Sequence, residues 1–248
     1  MKIESKDFWE REDIIYSQDK TVEDTSNYEV YLYQKASSYF ETNSIKVKNA
    51  KVFGVGTGRE IKGILKYISI DKILATDIAE NMIKKGIENI KKWKFDSIVT
   101  MQVEDAVTFT APKESYELVT LMNCMLTYVK DKKDRYKIFK TSYDILKPNG
   151  VLIGAVHNQV GTPQKTAFFL LRKILKPFLK NEVGSRVTGF YGFDVRGYYF
   201  SKTDLYNHLH DNGFKNIDIK SLSQYYKEVN IKYNRFKGYN NLVFFATK

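Results

Sequence analysis

The chain has 248 residues, of which 43% are hydrophobic and only 4 are proline, a composition that suits one globular domain and leaves little room for two. The only cysteine, Cys124, excludes an intrachain disulfide, a cysteine-rich zinc site and a CxxC redox pair. No apolar run approaches the roughly 20 residues that a membrane-spanning helix needs, and residues 1–7 mix charges without an apolar core. We therefore expect a cytoplasmic protein without a transmembrane segment.

The net charge of the chain is +11. Such an excess of lysine and arginine favours an anionic partner, for example nucleic acid, a phosphorylated metabolite or a membrane surface. A solvated lysine-rich surface explains the same composition, so the charge by itself does not select among these partners.

Residues 1–45 differ from the rest of the chain. Up to about Val30 acidic side chains outnumber basic ones, and the segment is rich in aromatic residues: Phe8, Trp9, Tyr16, Tyr28, Tyr31, Tyr33 and Tyr39. We expect a helical N-terminal cap there. Residues 46–160 then form the predicted core, residues 161–200 an insertion, and residues 201–248 a closing helix and strands.

From Lys51 onward, short apolar runs alternate with amphipathic helical stretches, which is typical of βαβ units around a parallel sheet. The fold class is therefore α/β. Strands are predicted at 52–55, 72–77, 98–103, 118–122 and 151–156, with two closing strands around 217–219 and at 242–246. The helix before the fifth strand is expected to end in a turn at 147–150, and Ser201 is expected to cap a later helix.

Glycines occupy alternate positions where the first strand gives way to the first helix. The turn reads Gly54, Val55, Gly56, Thr57 and Gly58. Glycine there lets the backbone turn tightly and approach a ligand. A dinucleotide-binding fingerprint would need a glycine in place of Arg59, and the Gly-Lys-Ser/Thr ending of a phosphate-binding loop is missing. The pattern therefore does not favour NAD or ATP as the ligand. The alternative to a ligand-binding turn is a tight turn that binds no ligand.

The Gly-x-Gly-x-Gly spacing directly before a helix resembles motif I of the class I methyltransferases. The resemblance implies a Rossmann-like, seven-stranded, mostly parallel sheet with helices on both faces. It also implies S-adenosylmethionine as cofactor, with its amino-acid portion over the glycines. The resemblance covers about residues 48–160 well and the closing strands loosely. One departure is Val52, where the family usually carries an acidic residue that helps to orient the glycine loop.

Asp77 ends the second predicted strand. A carboxylate at that place can accept hydrogen bonds from both ribose hydroxyls of an adenosine group, and capping of the next helix is the alternative role. Residues 75–82 resemble the family's second motif, which implies that Ile78 packs on adenine and that Met82 lies nearby.

Two further segments resemble the family's adenine and methionine sites. Glu104-Asp105-Ala106, at the end of the third predicted strand, is similar to the family's Asp-Ala pair. The similarity implies adenine contacts from Asp105, in preference to Glu104, and from the backbone of Ala106. The stretch with Asn123 and Tyr128 resembles the segment after the family's fourth strand, which implies that both residues lie at the cofactor.

The expected activity is methyl transfer from S-adenosylmethionine to oxygen or nitrogen of a small-molecule acceptor, by direct displacement and with S-adenosylhomocysteine as product. Positioning of the acceptor can supply on the order of 7–11 kcal/mol in such a step. His157, directly after the fifth strand, is the candidate general base, with a packing role as the alternative. An RNA methyltransferase is a second hypothesis, weakened because an Asn-Pro-Pro-Tyr motif is missing. A non-catalytic cofactor-binding partner protein is a third, suggested by Val52.

Residues 166–180, within the insertion, combine large apolar side chains with arginine and lysine. We predict a lid over the acceptor pocket, a surface helix attracted to anionic lipid, or a packing surface in a dimer. No metal site is expected, because His208 and His210 have no third partner in the pattern, and Cys124 is expected simply to pack.

Overall fold

The computed structural model describes residues 2–190, 192–234, 236 and 239–248. Tyr191, part of the predicted insertion, lies outside the described residues. A short strand and three helices precede the main sheet: β1 (Lys2–Ile3), α1 (Ser5–Trp9), α2 (Glu12–Asp19) and α3 (Asn27–Thr42).

Strands and helices then alternate, as the apolar pattern predicts. They are β2 (Asn49–Phe53), α4 (Arg59–Tyr67), β3 (Lys72–Asp77), α5 (Glu80–Lys92), β4 (Val99–Val103), β5 (Tyr116–Leu121), α6 (Lys132–Ile145) and β6 (Leu146–Val156). The rest comprises α7 (Pro163–Ile174), β7 (Ser185–Phe190), β8 (Phe193–Tyr198), α8 (Lys202–Asp211), β9 (Lys215–Ser221), α9 (Leu222–Glu228) and β10 (Leu242–Thr247). Two 3₁₀ turns, Met125–Tyr128 and Lys176–Phe178, follow β5 and α7.

The main sheet has seven strands in the order β4-β3-β2-β5-β6-β10-β9. Strands β2 to β6 pair in parallel, and β10 runs antiparallel between β6 and β9. This confirms the predicted Rossmann-like, mostly parallel sheet. The strand order reverses between β2 and β5, and in open α/β sheets such a switch point opens a crevice at the carboxyl ends of the strands.

Helices cover both faces of this sheet, as the sequence predicts. On one face, α3, α4 and α5 enclose an apolar cluster that includes Leu32, Ile61 and Ile83. On the other face, α6 and α8 enclose a second cluster that includes Phe139 and Leu205. Helix α3 therefore belongs to a core layer of the sheet as well as to the N-terminal segment.

Two predicted boundaries differ from the observed ones for backbone reasons. Strand β2 ends at Phe53 because Gly54 turns out of the strand with φ +66°. Strand β6 already begins at Leu146, so the predicted turn at 147–150 lies within the strand. Asn149 there has φ +62°, and the pairing of β6 with β5 shifts register after Tyr116.

The insertion after β6 contains a hairpin that the sequence pattern does not predict. Strands β7 and β8 pair antiparallel, and β1 joins β8 in parallel to form a separate three-stranded sheet. The first strand of the chain is thereby attached to the insertion. Within the described part of the chain, no helix combines the length and the apolar character that crossing a bilayer requires.

Candidate functional site

A cavity of about 400 Å³ lies at the carboxyl edge of the central strands. Its wall is formed by the glycine turn after β2, the end of β3, and the segments that follow β4 and β5. The predicted cofactor residues on this wall are Gly54, Val55, Gly56, Thr57, Asp77, Ile78, Met82, Glu104, Asp105, Ala106, Asn123 and Tyr128. Side chains that are distant in sequence are thus brought together around one space.

The glycine turn depends on backbone conformations that favour glycine. Gly54, Gly56 and Gly58 have φ values of +66°, +54° and +94°. A Cβ atom on Gly54 would lie 2.7 Å from the Cβ atom of Met125, so a side chain there would also displace the segment after β5. Gly58 is the N-cap residue of α4 and does not line the cavity. Its role is to start the helix whose free N–H groups lie behind the turn.

Asp77 joins the glycine turn to the end of β3. Its Oδ2 accepts the Gly56 N–H at 2.9 Å, and its Oδ1 accepts the Ala79 N–H at 3.0 Å. Burial raises the pKa of Asp77 above its ordinary value, although these backbone hydrogen bonds act in the opposite direction. The carboxyl group therefore holds the turn between the glycine loop and Ala79, the N-cap residue of α5, and it does not cap that helix itself. Asp77 also lines the cavity.

The segment after β4 supplies two carboxyl groups to the wall. Glu104 donates its backbone N–H to the Asp77 carbonyl at 2.9 Å, which continues the β3–β4 pairing. Asp105 Oδ1 accepts the Val107 N–H at 2.8 Å and so holds the local turn. Both residues line the cavity, and the preference for Asp105 over Glu104 stays a prediction.

A charged group that the sequence analysis did not assign also lines the cavity. Arg59, the first residue of α4, donates from Nη2 to Glu29 Oε1 at 2.5 Å and to Asn123 Oδ1 at 2.6 Å. Glu29 is 1% exposed and also accepts the Ser26 N–H at 2.7 Å. Asn123 and Cys124 both have positive φ, at 54° and 56°, a costly conformation that this contact helps to hold.

The N-terminal segment supplies one side of the wall through Glu4, Ser5, Lys6, Trp9 and Gln18. Two contacts fasten it over the cavity. The Glu10 carboxylate accepts the N–H groups of Glu80 and Asn81 at 2.7 and 2.8 Å, which caps α5. The Trp9 ring packs edge to face on Tyr128, with 5.3 Å between the ring centroids.

A buried polar group lies next to the glycine turn. Both carboxyl oxygens of Glu60, in the first turn of α4, are buried and have no hydrogen-bond partner among the described residues, as is also true of the hydroxyls of Tyr33 and Thr120. Burial raises the pKa of Glu60 to about 8. Thr120 pairs in register with Val52 on β2. The acidic residue that the family usually carries at the position of Val52 is absent, whereas Glu60 supplies an acidic side chain on the neighbouring helix.

His157 does not line the cavity. Its ring centroid lies 6.3 Å from that of Tyr128 and 5.3 Å from that of Tyr199, and its Nδ1 is buried without a hydrogen-bond partner in the described part of the chain. Burial lowers the pKa of His157 to about 4, so the ring is neutral at pH 7. Its proposed role as a general base stays a prediction.

The predicted lid does not reach this space either. No described residue of the insertion, residues 161–200, lines the cavity. The covering position is taken by the N-terminal segment. Helical periodicity does not predict this arrangement, because it shows which residues share a face of a helix and not what that face contacts.

Other wall residues were missed for a similar reason. Lys130, Asp131 and Asp134 line the cavity from the segment that leads into α6. For Glu29 a signal was present in the sequence, because Ser26 and Glu29 have the spacing of a capping box and so mark the start of α3. Its pairing with Arg59 is a tertiary contact that no local pattern reveals.

Comparison with known proteins agrees with this geometry. Residues 52–150 match a family model described as a methyltransferase domain. Comparison with curated protein sequences gave no match. Among solved structures, the chain is similar to a SAM-dependent methyltransferase from Methanosarcina mazei, with a TM-score of 0.64 and 18% identity over 84% of this chain and 96% of that one.

Two N-methyltransferases are also similar in structure. Phosphoethanolamine N-methyltransferase 2 of Haemonchus contortus, in complex with S-adenosyl-L-methionine, gives a TM-score of 0.68 and 17% identity over 99% of this chain, which spans 60% of that protein. N-methyltransferase NodS from Bradyrhizobium japonicum gives 0.56 and 11% over 90% of this chain and 98% of that one. At such identities these likenesses establish the fold. Residues 52–150 therefore form a methyltransferase domain, and the chain has the fold of S-adenosylmethionine-dependent methyltransferases.

Proposed function

We propose that this methyltransferase methylates a small amine in the cavity at the carboxyl edge of its sheet. The observation that carries the proposal is the composition of the wall. The same space is lined by the predicted cofactor residues, by Trp9 and Tyr128, and by the acidic residues Asp131 and Asp134; Glu4 also lines it but is paired with Lys130. Aromatic faces and carboxylates together suit a cationic or amine group.

The wall fits S-adenosylmethionine. A volume of about 400 Å³ is of the size that ligand pockets in proteins have. In our proposal Asp77 holds the ribose hydroxyls, Asp105 holds the adenine amino group, and Arg59 binds the carboxylate of the methionine portion. The bound cofactor supplies a methyl group that is already activated by its sulfonium sulfur.

The Arg59 assignment rests on charge and position. Arg59 is paired with Glu29, but the two side chains differ in exposure: that of Arg59 is 22% exposed and that of Glu29 is 2% exposed. Arg59 therefore remains accessible from the cavity. A guanidinium has five N–H donors. The four on Nη1 and Nη2 are engaged by Glu29, the Asp24 carbonyl and Asn123, so Nε–H is the donor left for a carboxylate. Asn123 Oδ1 is occupied by Arg59, which leaves its amide N–H₂ as the group that can donate to a ligand.

The wall also explains how transfer proceeds without a histidine base. No histidine lies among the described residues of the wall. An amine attacks through its lone pair, so an ammonium bound by the carboxylates must first release its proton to water or to a carboxylate of the wall. Alignment of the neutral nitrogen behind the methyl group is then the main requirement. A hydroxyl acceptor would need a base, and His157, the histidine predicted for that role, does not line the wall; its ring centroid lies 6.3 Å from that of Tyr128.

We further propose that residues 4–18 act as the cover of the site. They line the cavity, and Glu10 attaches them to the start of α5. Such a cover excludes water from the reacting groups and holds an acceptor against the cofactor side of the wall. Opening and closing of this segment is then the step that admits ligands.

Calorimetric titration with S-adenosylmethionine tests the cofactor site, and formation of S-adenosylhomocysteine with a panel of amines and matched alcohols tests the acceptor. The Haemonchus enzyme is also solved with phosphomonomethylethanolamine and S-adenosylhomocysteine, so this amine is a suitable first probe. We expect product from amines and none from the matched alcohols. Transfer to alcohols alone, or to RNA alone, would contradict the amine assignment, and failure to bind the cofactor would contradict the whole proposal.

A further inference from the structure

The helix α7 and the 3₁₀ turn after it expose an unusual amount of apolar surface. Leu171 is 56% exposed, Ile174 is 76% exposed and Phe178 is 83% exposed. Phe168, Leu170 and Leu175 are exposed as well. We call these six side chains the apolar face of α7. Scattered apolar residues are ordinary on a protein surface, but a continuous patch of them indicates an interaction site.

The apolar face is held outward by contacts on the opposite side of the helix. Phe169 is 2% exposed and packs on Tyr199, with 5.4 Å between the ring centroids. Arg172 donates to the carbonyl oxygens of Val183 and Glu182 at 2.9 and 2.8 Å. Thr162 caps the helix by accepting the Lys165 N–H. The exposure therefore belongs to a well-anchored helix.

The charge around the apolar face has one sign. Between His157 and Glu182 the sequence contains five basic residues and no acidic residue: Lys165, Arg172, Lys173, Lys176 and Lys180. Lys173, Lys176 and Lys180 are exposed next to the apolar side chains. An apolar stripe flanked by lysines is the pattern by which a helix lies in the interface of a bilayer that contains anionic lipids.

We propose that the apolar face of α7 docks this protein on an anionic membrane surface. The same charge argues against a second copy of the chain as the occupant, because symmetric packing would bring the two sets of lysines together without an acidic residue between them. A bilayer surface suits both kinds of side chain. Its apolar chains can contact Ile174 and Phe178, and its phosphate or carboxylate groups can pair with the lysines.

The docking surface is separate from the cavity. No described residue of the segment 161–200 lines the cavity, so α7 can enter an interface without displacing the cofactor wall. Docking therefore does not depend on the proposed acceptor. The two can be tested independently on the same protein.

Cosedimentation of the full chain with lipid vesicles tests the proposal. The probes are vesicles of phosphatidylcholine alone and vesicles of phosphatidylcholine and phosphatidylserine in equal parts. We expect binding to the anionic vesicles and little binding to the neutral ones. The double variant Ile174→Ser/Phe178→Ser and the triple variant Lys173→Glu/Lys176→Glu/Lys180→Glu should each weaken binding by on the order of tenfold or more.

Matched controls separate this surface from general effects of charge and hydrophobicity. Tyr206 is 44% exposed on α8, a different helix, so Tyr206→Ser should leave vesicle binding unchanged. The exposed pair Lys132 and Lys133 on α6 provides the charge control, as Lys132→Glu/Lys133→Glu. Unchanged melting temperature and cofactor affinity in the α7 variants would show that they remain folded.

Three results would overturn the proposal. One is the absence of binding to anionic vesicles by the wild-type chain. Another is equal binding by the α7 variants and the controls. The third is a wild-type dimer in solution that the Ile174→Ser/Phe178→Ser variant converts to a monomer, because the apolar face would then be covered by a second copy.

Discussion

Glu29 and Arg59 form a buried salt bridge, with 2.5 Å between Oε1 and Nη2, that joins helix α3 to the first turn of α4. The same guanidinium reaches Asn123 after β5. One contact thus connects the N-terminal segment, the helix behind the glycine turn and the strained end of β5. The shape of the cavity wall depends on a residue that lies outside the matched methyltransferase domain.

Removal of the charge on Glu29 is expected to destabilise the protein. The variant Glu29→Gln leaves the partly buried Arg59 guanidinium without its charged partner, and breaking a fully buried ion pair costs about 3–5 kcal/mol, which is the upper limit here. The free energy of unfolding measured in urea should fall accordingly. The free energy of unfolding of the double variant Glu29→Met/Arg59→Met should fall less, since neither charge is then left without a partner. The control is Asp71→Asn, which breaks the exposed ion pair between Asp71 and Lys46. A smaller loss in the single variant than in the double one would contradict this account.

Replacement of Asp77 is expected to weaken cofactor binding. In Asp77→Asn one oxygen acceptor becomes an N–H₂ donor, so the amide cannot accept from both Gly56 and Ala79 while it also binds a ribose. The loss of a hydrogen bond to a charged group corresponds to about 1.5–3 kcal/mol, or roughly a 10- to 150-fold rise in the Kd for S-adenosylmethionine measured by calorimetry.

The control for Asp77 lies at the opposite end of the same strand. Asp71 directly precedes β3 and pairs with Lys46 at the surface, so Asp71→Asn should leave the Kd unchanged. An unchanged Kd in a folded Asp77→Asn protein would remove Asp77 from the cofactor site.

Release of the N-terminal cover is expected to accelerate ligand dissociation. The variant Glu10→Ala removes the carboxylate that accepts the Glu80 and Asn81 N–H groups. The cover then opens more often, and stopped-flow measurements should show a faster dissociation rate of S-adenosylhomocysteine. Glu12→Ala, at an exposed position on α2, is the matched control. Equal dissociation rates in the two variants would exclude a covering role for this segment.

Glu60 is expected to make stability depend on pH. Its pKa is about 8 in the folded protein and near 4.5 in the unfolded chain. Between these values the unfolded chain releases the proton and the folded protein retains it. The free energy of unfolding therefore falls by about 1.4 kcal/mol per pH unit from this group as the pH rises through that window.

The variant Glu60→Gln is neutral at every pH and of the same size. The melting temperature of this variant minus that of the wild-type protein should be lowest near pH 5 and should rise steadily up to pH 8. Glu41→Gln, at an exposed position on α3, is the control for the substitution itself. A parallel pH dependence for Glu60→Gln and the wild-type protein would mean that Glu60 is ionised in the folded state.

Local patterns predicted the central part of the fold well. The alternation of apolar runs and amphipathic helices gave the parallel sheet, and the bounds of β3 were predicted as Lys72–Asp77 because Asp77 marks the residue at which a buried strand meets a helix start. The glycine turn and the strand end at Asp77 lie where the sequence predicts them, because both depend on backbone geometry within a short segment. Their roles at the cofactor stay predictions.

Contacts between segments that are distant in the sequence could not be predicted from local patterns. The pairing of β8 with β1 was missed because it joins Lys2 to Asp194, two segments that are far apart in the sequence and share no local pattern. In the sequence, Arg59 stands out only because it occupies a position where a dinucleotide-binding fingerprint would have glycine. Its pairing with Glu29 could not be predicted, since Glu29 belongs to another helix. The apolar side chains of α7 indicated amphipathic character, but their outward direction is decided by Phe169 and Arg172 on the other side of the helix.

Cys124 follows Asn123 in the strained bend after β5 and is 4% exposed. Because it is the only thiol in the sequence and burial raises its pKa, alkylating reagents should modify the native protein slowly. Each modification event would then report that this bend has opened. The molecule thus carries a built-in chemical reporter of motion beside its cavity, which can be read by mass spectrometry without adding any label site.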